Sequence, residues 1–330
     1  MKKVLLYSGG MDSWLIDKIW KPDVKLFVNI HTKNNQLELE KVKKVEGLEI
    51  IDFDISRFEV KEDNYFLPLR NLYFVALASN YGDEICLGAT GSSTHFDKTQ
   101  KFAEDAAKLI NYLLSEKNEK SNVKIVLPFK DMTKTQLLKL YLEQGGNIET
   151  AYTETVSCYN PNDDGTPCMN CSSCASKFVA FYNNGYNFSI DEIVSFVDYV
   201  KNNMDSCKPN HLEVFNKIIT NKVIAVDFDG TLTDDTPYPV TGQIREYCKQ
   251  ALDNITRLGN KFILNTCRTG SELVEAQQFI ISHELPITVP DNPGKVRADL
   301  YIDNKNIGVT KIDWKKIEQY FFYNSLNNSI

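Results

Sequence analysis

A chain of 330 residues with 42% hydrophobic and 25% charged side chains has the composition of a globular protein and exceeds the usual size of one core, which excludes a fibrous or disordered polymer and favours two domains. The formal charge of −7 offers no basic field for duplex nucleic acid, so there is no strong nucleic-acid signal, and small-molecule substrates are expected. No run approaches the roughly 20 apolar residues of a membrane span, and the start, MKKVLLYSGG, lacks the apolar region of an export signal. A cytoplasmic protein is expected, for which a homodimer is a compatible assembly.

In chain order, Lys3 to Tyr7 reads as a strand that runs into Ser8, Gly9, Gly10, Met11, Asp12 and Ser13. In a strand-to-helix turn of this kind the backbone N–H groups converge on an anion, and glycine removes the Cβ that would keep a phosphate away. The Lys-[Ser/Thr] pair of a Walker A loop is missing. Val24 to Ile30 and Leu48 to Phe53 are the next strands, Asn71 to Ser79 has helical spacing, Glu84 to Leu87 is a strand, and Lys98 to Leu114 is helical again. This alternation predicts a parallel sheet covered on both faces. Thr133 to Gln144 is a helix, with Thr133 as N-cap and Gly145-Gly146 as the stop. Arg70 is a fixed cation in a largely apolar segment, and its fork suits a carboxylate or a phosphate; a plain salt bridge is the alternative. Lys134 competes with an ordinary solvated first-turn lysine, and His95 with a surface-loop histidine.

The eight cysteines are not spread like a disulfide framework: Cys158, Cys168, Cys171 and Cys174 form C-x9-C-x2-C-x2-C, the last at the start of a helix running to Tyr182. Four thiolates in so short a span close a tetrahedral shell with no open position, which favours a structural Zn2+ over a catalytic one. An iron–sulfur cluster is the competing occupant. Metal binding would couple the folding of this loop to zinc.

Residues 183 to 221 are polar around one amphipathic helix, Ile190 to Lys201, and a fresh strand, Val223 to Phe228, opens a second α/β series. Helix Gln243 to Leu258, strand Lys261 to Asn265, helix Ser271 to His283 and strand Asp299 to Ile302 follow. The predicted organisation is a domain at 1–185 with a zinc subdomain at about 128–185, a helical linker at 186–220 and a second domain at 221–330. Asn324 to Ile330 read as a frayed tail.

The SGGMDS turn is the SGGxDS form of the PP-loop and resembles the pyrophosphate loop of enzymes that cleave ATP between the α and β phosphates. Together with SCYNPNDDGTPCMNCSSC it resembles the 7-cyano-7-deazaguanine synthase family of the queuosine pathway. Leu67-Pro68-Leu69-Arg70-Asn71, Leu87-Gly88-Ala89 and Pro128 with Lys134 fit the family's pattern in order, so the resemblance covers about residues 1 to 185. It implies a PP-loop, Rossmann-like parallel sheet with a helical zinc subdomain. The implied reaction converts 7-carboxy-7-deazaguanine and ammonia to the nitrile through an acyl-adenylate. Ser8, Gly9, Gly10, Asp12 and Ser13 would lie at the ATP phosphates, Arg70 and Asn71 at nucleotide or substrate, and Lys134 at a phosphate charge. Mg2+ must bridge the phosphates, with Asp12 a candidate to help place it. Two segments depart from the family: Asn29-Ile30-His31-Thr32-Lys33, where a Gly-Gln pair with basic residues is usual, and Thr90 to Asp97, where an acidic substrate-side segment is usual.

Strand Val223 to Phe228 enters Asp227-Phe228-Asp229-Gly230-Thr231-Leu232, which resembles the first motif of the haloacid-dehalogenase phosphatases across roughly residues 221 to 310. A HAD-like Rossmannoid domain is implied. Two carboxylates this close serve as nucleophile and acid/base only if a cation suppresses their repulsion, so Mg2+ is required. By resemblance Asp227 forms an aspartyl-phosphate, Asp229 protonates the leaving group, Thr266 and Lys295 meet the phosphate, and Asp303 joins Asp227 and Asp229 as a metal ligand. Asn304 stands where a second acid is common, which weakens the metal site or shifts the ligand role to Asp299.

The leading expectation is an ATP-dependent C–N ligase joined to a phosphatase. The alternatives are a PP-loop ligase acting on a different carboxylate and a nucleotide-sensing module without turnover.

Overall fold

The computed structural model describes residues 1–60, 67–91, 95–115, 122–158, 160–162, 166–290, 296–305 and 311–324. It divides into two compact units, Met1–Asn187 and Phe188–Ile330.

The first unit is built on a parallel sheet of β1 (Lys3–Leu6), β2 (Val24–Asn29), β3 (Leu48–Asp52), β4 (Glu84–Cys86) and β5 (Lys124–Val126), in the order β3-β2-β1-β4-β5. The central strand β1 is apolar after its opening Lys3, as a strand covered on both faces requires, and Val4 and Leu5 are fully buried. Edge strand β3 instead exposes Ile50. Because β1 lies beside both β2 and β4, the winding reverses there, and the crevice beyond its C-terminal end is the place for a ligand.

Helices α1 (Met11–Trp20), α2 (Lys33–Val42), α3 (Arg70–Ala78) and α4 (Gln100–Leu114) connect these strands. Helix α4 buries Ala103, Ala106 and Ile110, which are spaced to share one helical face. Beyond β5, α5 (Lys134–Glu143) has the expected Thr133 cap, completed as a capping box by Gln136. It packs against α1 and against α7 (Ser172–Tyr182), with Trp14 edge-on to Tyr141 at 5.3 Å. The short helix α6 (Ile148–Glu154) begins at the Asn147 cap. Helices α2 and α6 and strand β5 had no clear signal in the sequence: KNNQLELEKV opens on polar residues, and β5 is three residues long.

In the second unit, β6 (Val223–Val226), β7 (Lys261–Leu264), β8 (Ile287–Thr288) and β9 (Leu300–Ile302) form a parallel sheet ordered β8-β7-β6-β9. Its helices are α8 (Ile190–Asn202), α9 (Pro209–Phe215), α10 (Cys248–Arg257), α11 (Gly270–Ser282) and α12 (Trp314–Tyr323). From Phe188 onward, the stretch read as a linker is part of this unit. Ser189 and Glu192 close a capping box on α8, Asp191 pairs with Arg257 at 2.5 Å, and the Phe188 N–H donates to the Tyr323 hydroxyl at 2.9 Å. After β6 the chain makes a tight turn over Phe228–Leu232, with Gly230 at φ +76°. A Cβ at Gly230 would collide with the Asn304 amide. The indole of Trp314 donates to the Thr231 carbonyl at 3.0 Å and ties α12 to this turn.

Candidate functional site

The glycine loop leaves β1 at the reversal point. Gly9 has φ +73°, and a Cβ there would collide with Val42 at the end of α2, so both the backbone conformation and the space require glycine. Gly10 is the N-cap of α1 and brings no side chain to cover the first-turn amides, which stay available to an anion. The serines shape the loop: the Ser13 hydroxyl donates to the Gly10 carbonyl at 3.0 Å and accepts the Ser8 N–H at 3.2 Å. The loop opens on a cleft of about 400 Å3, also lined by Arg70, Asn71, Lys98, Lys134, Glu38 and Lys41, a volume in the range of small-ligand sites.

Asp12 and Lys134 meet across this cleft, Lys134 Nζ lying 2.5 Å from Asp12 Oδ1 while the Thr90 hydroxyl donates to Oδ2 at 3.4 Å. The lysine expected at a phosphate is therefore held by an acid of the glycine loop. Arg70 opens α3 and is exposed at the cleft. Asn71 is buried, and its side-chain amide donates to the Asp97 carbonyl at 3.2 Å, so this donor serves the backbone of the neighbouring turn. His95 begins that turn as an exposed residue, and Ser92 to Thr94 lie outside the described residues.

Glu38, Lys41 and Lys98 were missed by the sequence reading, because nothing in a polar loop or a weakly apolar helix marks them. Glu38 lines the cleft as an exposed residue; desolvation by the surrounding protein pushes its carboxyl up to about 7, against the pull of Arg70, Asn35 and Lys41. Burial, followed by the like charge of Arg70, holds the Lys98 ammonium below its usual range.

The sulfurs of Cys158, Cys168, Cys171 and Cys174 lie within 4.8 Å of one another, and a tetrahedral Zn–S shell requires sulfurs about 3.8 Å apart. Cys171 is the N-cap of α7, its sulfur accepting the Cys174 N–H at 3.4 Å; Cys158 accepts the Cys168 N–H at 3.2 Å, and Cys168 the Asn170 N–H at 3.4 Å. Backbone N–H groups directed at sulfur favour thiolates. Burial nevertheless pushes the Cys168 thiol up to about 11, and the hydrogen bond with Cys171, followed by burial, raises that of Cys174. Four thiolates this close would repel one another, and Zn2+ would offset that repulsion, so the donor set fits that ion.

In the second unit Asp227 directly follows β6. Burial pushes its carboxyl up to about 6, assisted by Asp303 and Asp229 and opposed by the Phe228 N–H and the Thr231 hydroxyl, which donates at 3.2 Å. Asp303 follows β9, so the parallel pairing of β6 and β9 brings the two carboxylates to the same sheet end. Asp229 is held at both oxygens by the fully buried Arg268, with Nε–Oδ2 at 2.9 Å and Nη2–Oδ1 at 2.6 Å. Arg268 also meets Thr241 and lies over the rings of Phe228 and Tyr238. The Thr266 hydroxyl accepts the Arg268 N–H at 3.2 Å. Asp299 cannot replace Asp303: it sits at the opposite end of the sheet, accepting the Val223 N–H at 2.8 Å. Lys295 lies outside the described residues.

No helix among the described residues is long and apolar enough to cross a membrane. Residues 25–185 match the family model described as queuosine biosynthesis protein QueC. The 7-cyano-7-deazaguanine synthase of Rickettsia akari (strain Hartford) is 26% identical over 223 residues, 56% of this chain and 95% of that protein. The synthase of the same name from Sulfurihydrogenibium sp. (strain YO3AOP1) is 28% identical over 216 residues, 53% of this chain and 91% of that protein. A solved structure of a conserved protein from Bacteroides thetaiotaomicron is 29% identical, covers 32% of this chain and 93% of that one, and has a TM-score of 0.29, too low to carry an argument. The N-terminal 56% of the chain, an α/β unit with a parallel sheet consistent with a PP-loop domain, is thus similar to the 7-cyano-7-deazaguanine synthases.

Proposed function

We propose that the first unit is an ATP-dependent 7-cyano-7-deazaguanine synthase that converts 7-carboxy-7-deazaguanine and ammonia to the nitrile. The observation that carries this reading is the Ser8–Ser13 loop at the reversal point of the sheet, facing Lys134 and Thr90, in a unit that also gathers four cysteine sulfurs. The substrate carboxylate attacks the α-phosphorus of ATP and expels pyrophosphate. Ammonia then displaces AMP to give the amide. A second ATP adenylates the amide oxygen, releasing pyrophosphate and one N–H proton, and the imidate then expels AMP with the remaining N–H proton to leave the nitrile. The α1 amides bind phosphate oxygens, Lys134 offsets developing charge, and Asp12 holds Lys134 in place. Bound Mg2+ would screen the triphosphate, and the Asp12 oxygens are ligands of the kind it takes. The Cys158, Cys168, Cys171 and Cys174 set is assigned to structural Zn2+.

Mass spectrometry of protein incubated with Mg-ATP, ammonium and 7-carboxy-7-deazaguanine tests this. Nitrile and AMP together, lost in Asp12→Ala, are expected. A second reading, a PP-loop ligase for a different acid, is favoured by the departures at Asn29 to Lys33 and Thr90 to Asp97. Absence of nitrile, amide and AMP would select it over the first.

The second unit is assigned as a HAD-type phosphohydrolase on the position of Asp227 just past the inner strand β6, with Asp303 just past the paired strand β9. Asp227 is the nucleophile. The hard oxygens of Asp227, raised by burial and then by the charge of Asp303, and of Asp303 itself fit Mg2+. Hydrolysis of p-nitrophenyl phosphate in magnesium, abolished by Asp227→Asn, is expected; no hydrolysis by the unaltered chain would overturn the assignment.

A further inference from the structure

The cleft of the first unit carries more positive charge than its glycine loop needs. Its lining contains Lys41, Arg70, Lys98 and Lys134 against Asp12 and Glu38. Asp12 already engages Lys134, and the α1 amides serve the phosphates. Arg70 and Lys98 remain as neighbouring cations. Their mutual repulsion in a half-enclosed space is unfavourable, and Asp97 and Asp12 near Lys98 and Glu38 near Arg70 offset it only in part.

The turn that presents Lys98 is fixed from several directions. The amide of buried Asn71 donates to the Asp97 carbonyl at 3.2 Å, the Lys98 N–H donates to the His95 carbonyl at 3.1 Å, and the Thr99 hydroxyl donates to the Phe96 carbonyl at 2.8 Å while capping α4. A lysine on so constrained a turn is poised before any ligand arrives. Its electrostatic neighbours include Arg70 on one hand and Asp12 with Lys134 on the other. An anion between Arg70 and Lys98 would therefore lie next to the phosphate end of the cleft, where an attacking carboxylate has to be.

We infer that Lys98 and Arg70 form a cationic clamp for the carboxylate of the acid to be adenylated, with Asn71 as the residue that positions Lys98. This rests on the reading of the first unit as a carboxylate-activating enzyme and deepens it by assigning the group that holds the reacting carboxylate. The clamp holds the carboxylate by charge, leaving one oxygen to attack the α-phosphorus. A nitrile carries no such charge, so the clamp distinguishes acid from product and lets the product leave.

Calorimetric binding to the full chain tests this, with 7-carboxy-7-deazaguanine and its nitrile counterpart as the two probes, alongside the KM for ATP in acid-dependent ATP–pyrophosphate exchange. Lys98→Met should weaken acid binding by about tenfold or more while leaving nitrile binding and the KM for ATP within about twofold. Lys98→Arg should recover most of the loss, and Asn71→Ala should reproduce the acid-selective defect without changing nitrile binding. Equal weakening of acid and nitrile, or a shift confined to the KM for ATP, would overturn the clamp and leave the ligase reading standing. Binding of neither probe by the unaltered chain, with no acid-dependent exchange, would overturn the ligase reading and the clamp with it.

Discussion

Arg268 and Asp229 form a two-point ion pair in which the arginine is fully buried and the carboxylate is met at both oxygens. The pair organises the second unit, because the same guanidinium also reaches Thr241 and packs on Phe228. Removing the arginine leaves a partly enclosed carboxylate without its partner. Arg268→Ala is expected to destabilise this unit by about 3–5 kcal/mol, read as a lower urea midpoint. A change below about 1 kcal/mol would mean that solvent replaces the guanidinium at no cost.

The Asp12–Lys134 contact makes a kinetic prediction. Lys134→Ala should reduce kcat/KM for AMP formation by about a hundredfold, the usual scale for loss of one charge-stabilising group, in a variant that still folds. Loss of folding in this variant would reassign the lysine to structure.

The sulfur cluster predicts pH-dependent metal retention. Zinc must displace protons from thiols that their surroundings hold above the usual range, as for Cys168 at about 11. Affinity measured by chelator competition should therefore rise from pH 6 to pH 8. Cys171→Ser should lower both zinc content and the melting temperature of the first unit. Full metal retention in that variant would remove Cys171 from the ligand set.

Two buried groups pull the second unit's pH dependence in opposite directions. His211 is fully enclosed, and burial followed by Lys208 pushes its imidazole down to about 4. The unfolded chain then binds the extra proton between about 4 and 6.5, so this contribution is complete above 6.5 and is lost as pH falls toward 4, by about 3 kcal/mol. Asp227, raised to about 6, binds its proton more tightly in the fold, so its contribution is present below about 4 and is lost as pH rises through 6. Urea unfolding at pH 4.5 and 7 should show Asp227→Asn gaining stability relative to the unaltered unit at pH 7. His211→Phe should lose less than the unaltered unit on acidification. Parallel pH profiles for all three proteins would contradict both assignments.

The features legible in the sequence are those whose chemistry is local. SGGMDS follows its strand directly, and the cysteines lie close together, so residue type and spacing sufficed to propose the phosphate loop and the metal set. What escaped depends on distant pairing. Asp12 and Lys134 are 122 positions apart, and only the packing of α5 on α1 brings them together. Lys98 is an ordinary loop lysine until Asn71 fixes its turn. Asp299 and Asp303 flank one short strand, and sequence alone did not show that they stand at opposite ends of the sheet, only one of them with Asp227.

Val156 bridges Gly10 in parallel fashion, and Cys158 follows two residues later along the same cleft. A connection this short has little slack. Oxidation that spreads the four sulfurs apart would be felt at once in the loop proposed to hold ATP, so in a turnover assay a stale, oxidised preparation would be mistaken for one with a defective nucleotide site.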